Sequence, residues 1–234
     1  YDLQGASVSA SLSQPFNEQF TLSAGTTLDA TRSTDYELRA QGEDDYVEQV
    51  TLSFPLGATY NTVKAPLDPQ AGNRVSLGVE PGISFGDGEA SYTRITSSAS
   101  TYRKISDRLV AAVRAEAGTF LGDEGVPVDR KFFAGGGGSV RGFEYQSLSP
   151  TDSDGNIIGG DAMFAASLEL RWRKSERWGY VAFVDSGYAA DSIDEAFGEM
   201  RSSFGLGVRF YPGFGPVRFD IATPLDRRDG EDPL

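Results

Sequence analysis

The chain of 234 residues has no cysteine and no histidine. Without cysteine there is no disulfide scaffold, no thiolate nucleophile and no thiolate metal ligand. Without histidine there are no Ser-His or Cys-His nucleophile pairs, no His-ligated zinc and no ordinary general base near neutral pH. An enzyme is therefore not expected, nor is a metal or cofactor. Basic residues are also few: 21 Lys and Arg stand against 34 Asp and Glu, a formal net charge of −13. That balance argues against a nucleic-acid partner, which needs a basic face. No apolar run approaches the roughly 18 residues of a transmembrane helix. The opening Tyr1-Asp2-Leu3-Gln4 lacks the basic-then-apolar pattern of a signal peptide. A mean hydropathy of −0.32 would suit a soluble protein, but that inference fails for β-barrels, whose strands give only every second residue to lipid.

What the chain does have is a period of two. Ala6, Val8, Ala10 and Leu12 alternate with Ser7, Ser9, Ser11 and Ser13, the pattern of a strand with one apolar face. The same alternation recurs at Phe20–Leu28, Val50–Tyr60, Val75–Val79, Leu109–Ala117, Phe164–Trp172, Phe204–Phe210 and Val217–Ile221. The segment 91–103 is polar on both faces, and 178–188 is apolar on both faces apart from Asp185. The count is about ten strands of roughly 10–15 residues, near the length a tilted strand needs to cross a membrane. Short connections at 17–18, 104–107, 174–177 and 212–215 alternate with longer, acidic ones near 41–45, 122–161 and 189–200. Short turns on one side and long loops on the other are the habit of outer-membrane barrels. A soluble β-sandwich would have shorter strands, about 5–6 residues. The expected fold is therefore all-β, an antiparallel transmembrane β-barrel.

The long connection carries Phe132-Phe133-Ala134-Gly135-Gly136-Gly137-Gly138-Ser139-Val140-Arg141-Gly142-Phe143. Consecutive glycines open backbone angles closed to other residues, so the segment can follow a tight path. A phosphate-binding loop would end in Gly-Lys-Ser/Thr between a strand and a helix, and this one does not. A planar, permanently charged guanidinium carried into a confined space needs carboxylates. Two candidates follow: Glu169, on the polar face of its strand, and Asp185, the lone charge of its stretch. The plainer reading leaves both as lumenal charges paired with Arg171 or Arg173.

The Val140-Arg141-Gly142-Phe143 run resembles the loop of the BamA/TamA superfamily of outer-membrane insertases, the bacterial surface antigen family. Arg130–Gly136, Ser147–Pro150, Gly159-Gly160 and Gly215–Leu225 are similar in style to its TamA branch. Phe183, Asp185 and Gly187 match the family's Phe-x-Asp-x-Gly strand motif. The resemblance implies that the loop at about 122–160 returns into the lumen and that Arg141 pairs with Glu169 and Asp185. It implies insertion of β-barrel and autotransporter clients into the Gram-negative outer membrane, with the lipid bilayer, unfolded clients and a TamB-type partner as contacts. Related alternatives are a two-partner secretion pore and a passive channel. Family barrels have sixteen strands preceded by periplasmic POTRA modules, so residues 1–234 are expected to be a partial barrel domain. The last strand, normally ending in an aromatic, and the POTRA modules are expected to lie outside it.

Overall fold

The computed structural model describes residues 3–34, 46–122, 126–213 and 215–226. The acidic segment at 41–45 and the tripeptide at 232–234 lie outside the described residues. Among the described residues, eleven strands form one antiparallel sheet: β1 (Leu3–Pro15), β2 (Phe20–Thr34), β3 (Tyr46–Ser53), β4 (Leu56–Asn61), β5 (Gly72–Gly86), β6 (Ala90–Ser106), β7 (Leu109–Gly122), β8 (Ala162–Arg173), β9 (Trp178–Ala190), β10 (Arg201–Phe210) and β11 (Val217–Pro224). Spatial order follows chain order. β3 and β4 both lie between β2 and β5, so they are halves of one stave and the wall has ten. The interruption falls at Phe54-Pro55, because proline has no N–H for the ladder. Bonding continues around it: Gly25 N–H donates to Pro55 O and Phe54 N–H to Pro81 O, both at 2.9 Å.

Burial is inverted relative to a soluble protein. Ser53, Ser84 and Ser203 are fully buried, while Leu77, Leu206 and Ile221 keep 55%, 58% and 67% of their surface exposed. Small polar residues facing in and large apolar ones facing out are what a bilayer solvent selects. β10 shows the register clearly: Arg201, Ser203, Gly205, Gly207 and Arg209 are buried, and Phe204 and Leu206 point outward. Aromatics gather at the short-turn end of β8–β10. Trp172 stacks on Tyr180 with centroids 5.8 Å apart, and Trp178 meets Phe210 at 4.9 Å. A short helix, α1 (Ile193–Gly198), interrupts the β9–β10 connection and is capped by the Ser192 hydroxyl, which accepts from Glu195 N–H.

The β7–β8 connection folds back against the inner face. Phe132 bridges Gly160, and Phe132, Ala134, Val140, Phe143 and Leu148 pack with Ala189 of β9 into an apolar cluster. At the opposite end, Arg173 of β8 pairs with Asp68 in the β4–β5 connection and lies over the Tyr211 ring at 3.4 Å.

Leu206 is mid-strand and outward. Leu206→Arg is expected to cost about 2–4 kcal/mol of folding stability in phospholipid vesicles, as a cation does near the midplane of a barrel. Urea titration followed by tryptophan emission measures it, and no change would mean that this face does not meet lipid.

Candidate functional site

The loop gets its path from glycine only where it must. Gly135 and Gly136 have φ of +105° and +88°, and Gly142 has +89°. A Cβ on Gly142 would come within 3.0 Å of the Ala222 Cβ of β11, whereas Gly137 and Gly138 face open space. Val140 is fully buried and Phe143 nearly so. The arginine between them is thus carried on backbone that is clamped on both sides.

Arg141 reaches three strands. Its Nε donates to Asp185 Oδ2 at 2.7 Å, its Nη2 to Asp185 Oδ1 at 2.9 Å, and its own backbone N–H to Asp185 Oδ2 at 3.1 Å. Nη2 also lies 2.9 Å from Glu169 Oε1 of β8, and Nη1 donates to Asp220 Oδ2 of β11 at 3.0 Å. Ser167 Oγ donates to Asp185 Oδ1 at 2.6 Å and accepts from Arg141 Nη2 at 3.3 Å. Asp185 stands opposite Ser167 on β8 and Ser203 on β10, which places it at the centre of this wall. Burial opposes the Arg141 charge. The hydrogen bonds and charge of Asp185, then Glu169 and Asp220, more than offset it and raise the guanidinium pKa.

The acids have further cations. Glu169 also binds Arg171 at 2.7 Å, and Asp220 pairs with Arg209. Arg141, Arg171 and Arg209 therefore balance Glu169, Asp185 and Asp220, three charges of each sign. The Arg141 guanidinium also lies over Phe183, its carbon 3.4 Å from the ring centroid, an arrangement that adds cation–π attraction. The ring in turn lies across Gly205, where any Cβ would collide with it. Gly187 permits close approach to β8: a Cβ there would meet Phe164 O at 2.7 Å.

Of the residues singled out in the sequence, Arg141, Phe183, Glu169 and Asp185 come together here. Val140 and Phe143 form the adjoining apolar clamp, Gly142 rests on β11, and Gly187 sits beside Ala165 of β8. Arg171 is a partner of Glu169 together with Arg141, not instead of it. Sequence reasoning missed Asp220, Arg209, Ser167 and Gly205. Asp220 left a signal, being a carboxylate on the polar face of the last alternating segment. The hydroxyl of the site, Ser167 Oγ, is taken up by Asp185 and Arg141. Among the described residues no group of three or more acids is arranged to hold a metal. Its chemistry is that of a charge-balanced clamp.

An antiparallel wall with an apolar exterior and an ion-paired loop on its inner face defines an outer-membrane β-barrel protein. The model of the Omp85 superfamily domain matches residues 1–233, and the chain belongs to that superfamily. It is 36% identical over 138 residues to outer membrane protein assembly factor BamA of Nitratidesulfovibrio vulgaris, a match covering 56% of this chain and 17% of that one. BamA from Haemophilus ducreyi lacking POTRA domains 1–3 has the same fold, with TM-score 0.82 and 19% identity over 99% of this chain and 53% of that one. CdiB from Acinetobacter baumannii gives 0.64 and 16% over 99% and 40%. The chain thus spans 17% of the BamA relative in sequence and about half or less of either solved structure. Its setting is the Gram-negative outer membrane.

Gly205→Val is expected to displace Phe183 and cost about 1–3 kcal/mol, the usual range for overpacking. In a Phe183→Ala background the same substitution should cost less, the contact with Ile221 O remaining. Chemical unfolding of the single and double variants measures both, and strictly additive losses would show that the ring does not rest on Gly205.

Proposed function

We propose that this chain is the barrel portion of an outer-membrane protein insertase, with a role of TamA type in assembling autotransporters and other β-barrel clients. The observation that supports this most is the Arg141 clamp on the inner face of an Omp85 wall. In lipid, backbone polar groups must be hydrogen-bonded, so a client strand needs a strand edge to pair with as it enters. A barrel held in one shape by an internal loop can offer such an edge without nucleotide or cofactor. Arg141, Glu169 and Asp185 hold that loop and do not act on the client chemically. The reading includes POTRA modules ahead of the barrel, a last strand beyond it and a TamB-type partner spanning the periplasm. It does not include catalysis.

A second reading is a secretion pore for one dedicated exoprotein. A cavity of about 570 Å³ between the loop and the β5–β7 wall, lined by Gly78, Thr96 and Ser98, favours it. Client range separates the two, since an insertase serves many barrels and a secretion pore one soluble product.

Arg141→Ala in the full-length protein is expected to lower client assembly roughly tenfold or more, because uncovering buried acids costs about 3–5 kcal/mol. Strand content should be nearly unchanged. The readout is the fraction of folded client barrels on unboiled gels, with circular dichroism of the variant as control. Full assembly by a well-expressed Arg141→Ala protein would refute the role.

A further inference from the structure

A second arginine cluster lies on the other limb of the same loop. Arg130 ends a 3-10 turn (Val128–Arg130) and precedes Arg141 by 11 positions. Its Nη2 pairs with Asp29 of β2, its Nη1 lies 3.4 Å from Glu80 Oε1 of β5, and its Nε lies 3.4 Å from Asp129 Oδ2. Asp29 and Glu80 are 101 and 50 residues away in sequence. These are not loose surface pairs: the side chains of Arg130, Asp29 and Glu80 keep only 17%, 13% and 21% of their exposure. Exposed pairs are often worth nothing measurable, whereas shielded ones leave a costly charge when one partner is removed.

The surroundings are built to receive this limb. Val126 packs on Ala90 and Tyr92. The Arg94 guanidinium lies 4.5 Å from the Phe132 centroid, and Phe120 meets Phe132 at 5.1 Å. Beneath them the fully buried Ser84 hydroxyl is bonded to Thr51 Oγ1 at 2.8 Å.

The two clusters grip different parts of the wall. In sheet order β2 and β9 are six staves apart, roughly 29 Å along the sheet at about 4.8 Å per strand. A loop fixed only through Arg141 could pivot about that point. Fixed at both limbs, it sets the separation of two stretches of wall. We propose that Arg130 is a second lock, which makes the β7–β8 loop a tie between the β2/β5 and β8/β9/β11 walls. It is a positioning residue that holds the loop in the orientation presented by the Arg141 clamp. The effect on clients rests on the insertase reading, but the tie does not.

The test uses the full-length protein in outer-membrane vesicles, with a single reporter cysteine and a membrane-impermeant maleimide. Ser84→Cys reports on the Arg130 side and Ser203→Cys on the Arg141 side, both positions being fully buried. Arg130→Ala is expected to speed labelling of Ser84→Cys roughly tenfold and to leave Ser203→Cys within about twofold. Arg130→Lys, which keeps the charge but loses the fork, should fall between. Asp29→Asn combined with Arg130→Ala should be no faster than Arg130→Ala alone, because coupled partners are not additive. Unchanged Ser84→Cys labelling in Arg130→Ala overturns the tie, and equal exposure of both reporters overturns it as a separate lock. Client assembly is scored in the same variants. If Arg141→Ala blocks it and Arg130→Ala does not, the positioning role is overturned. If neither affects clients while the labelling pattern holds, the tie stands and the insertase reading fails.

Discussion

The structure is organised around a guanidinium that cannot give up its proton. A lysine or histidine drawn into a partly desolvated lumen can become neutral, whereas arginine keeps its charge at any attainable pH. Arg141 therefore has to be met by carboxylates, and Asp185, Glu169 and Asp220 come from β9, β8 and β11. β8 and β11 are three staves apart, about 14 Å along a flat sheet at the usual spacing. One side chain can bond both only where the wall curls strongly. The ion cluster and the curvature are consequently the same fact seen at two scales.

Arginine also sets demands that a point charge would not. Its planar fork donates to both oxygens of Asp185 while it lies over Phe183, and only a flat, weakly hydrated cation can do both. The ring can lie there because Gly205 offers it no side chain. On the same face of β10, Gly207 leaves room for the Arg209–Asp220 pair, since a Cβ there would collide with the Asp220 carboxylate. The inward glycines of β10 are thus shaped by a charge carried on a loop more than 60 positions earlier.

Much of this was legible in the residues. Alternation gave the strands because lipid and lumen impose opposite polarities on adjacent positions, and Asp185 stood out because it interrupts a stretch that is otherwise apolar. The apolar character of the inward residue Phe183 also has its reason in the structure: it meets the loop arginine rather than water. Asp220 showed only as a carboxylate on a polar face, and its contacts, like those of the Asp29–Arg130–Glu80 cluster, were not legible. Their contacts depend on how far the sheet curls, and a period of two carries no information about curvature. The broken stave at Phe54-Pro55 was readable as one segment but not as two strands. Pro55 removes a donor without changing the alternation around it.

The contacts that join distant staves are mostly arginine to carboxylate: Arg130 to β2 and β5, Arg141 to β8, β9 and β11, and Arg173 to the β4–β5 connection. A barrel in lipid cannot use the hydrophobic effect to hold its walls around a wet interior, because its apolar faces are already satisfied by acyl chains. Beside the small apolar clusters under the loop, its interior is held by directional bonds, and charge-assisted bonds are the strongest available. The loop then has two kinds of segment. Arg141 and its apolar neighbours are fixed, while Gly137 and Gly138 face open space, with a single bond from Arg114 Nη2 to Gly138 O at 2.7 Å. Movement of the loop must then separate these ion pairs as well as unpack the apolar cluster that holds Val140 and Phe143. The shape of the barrel thus depends on a few named charges together with the small apolar clusters beneath the loop.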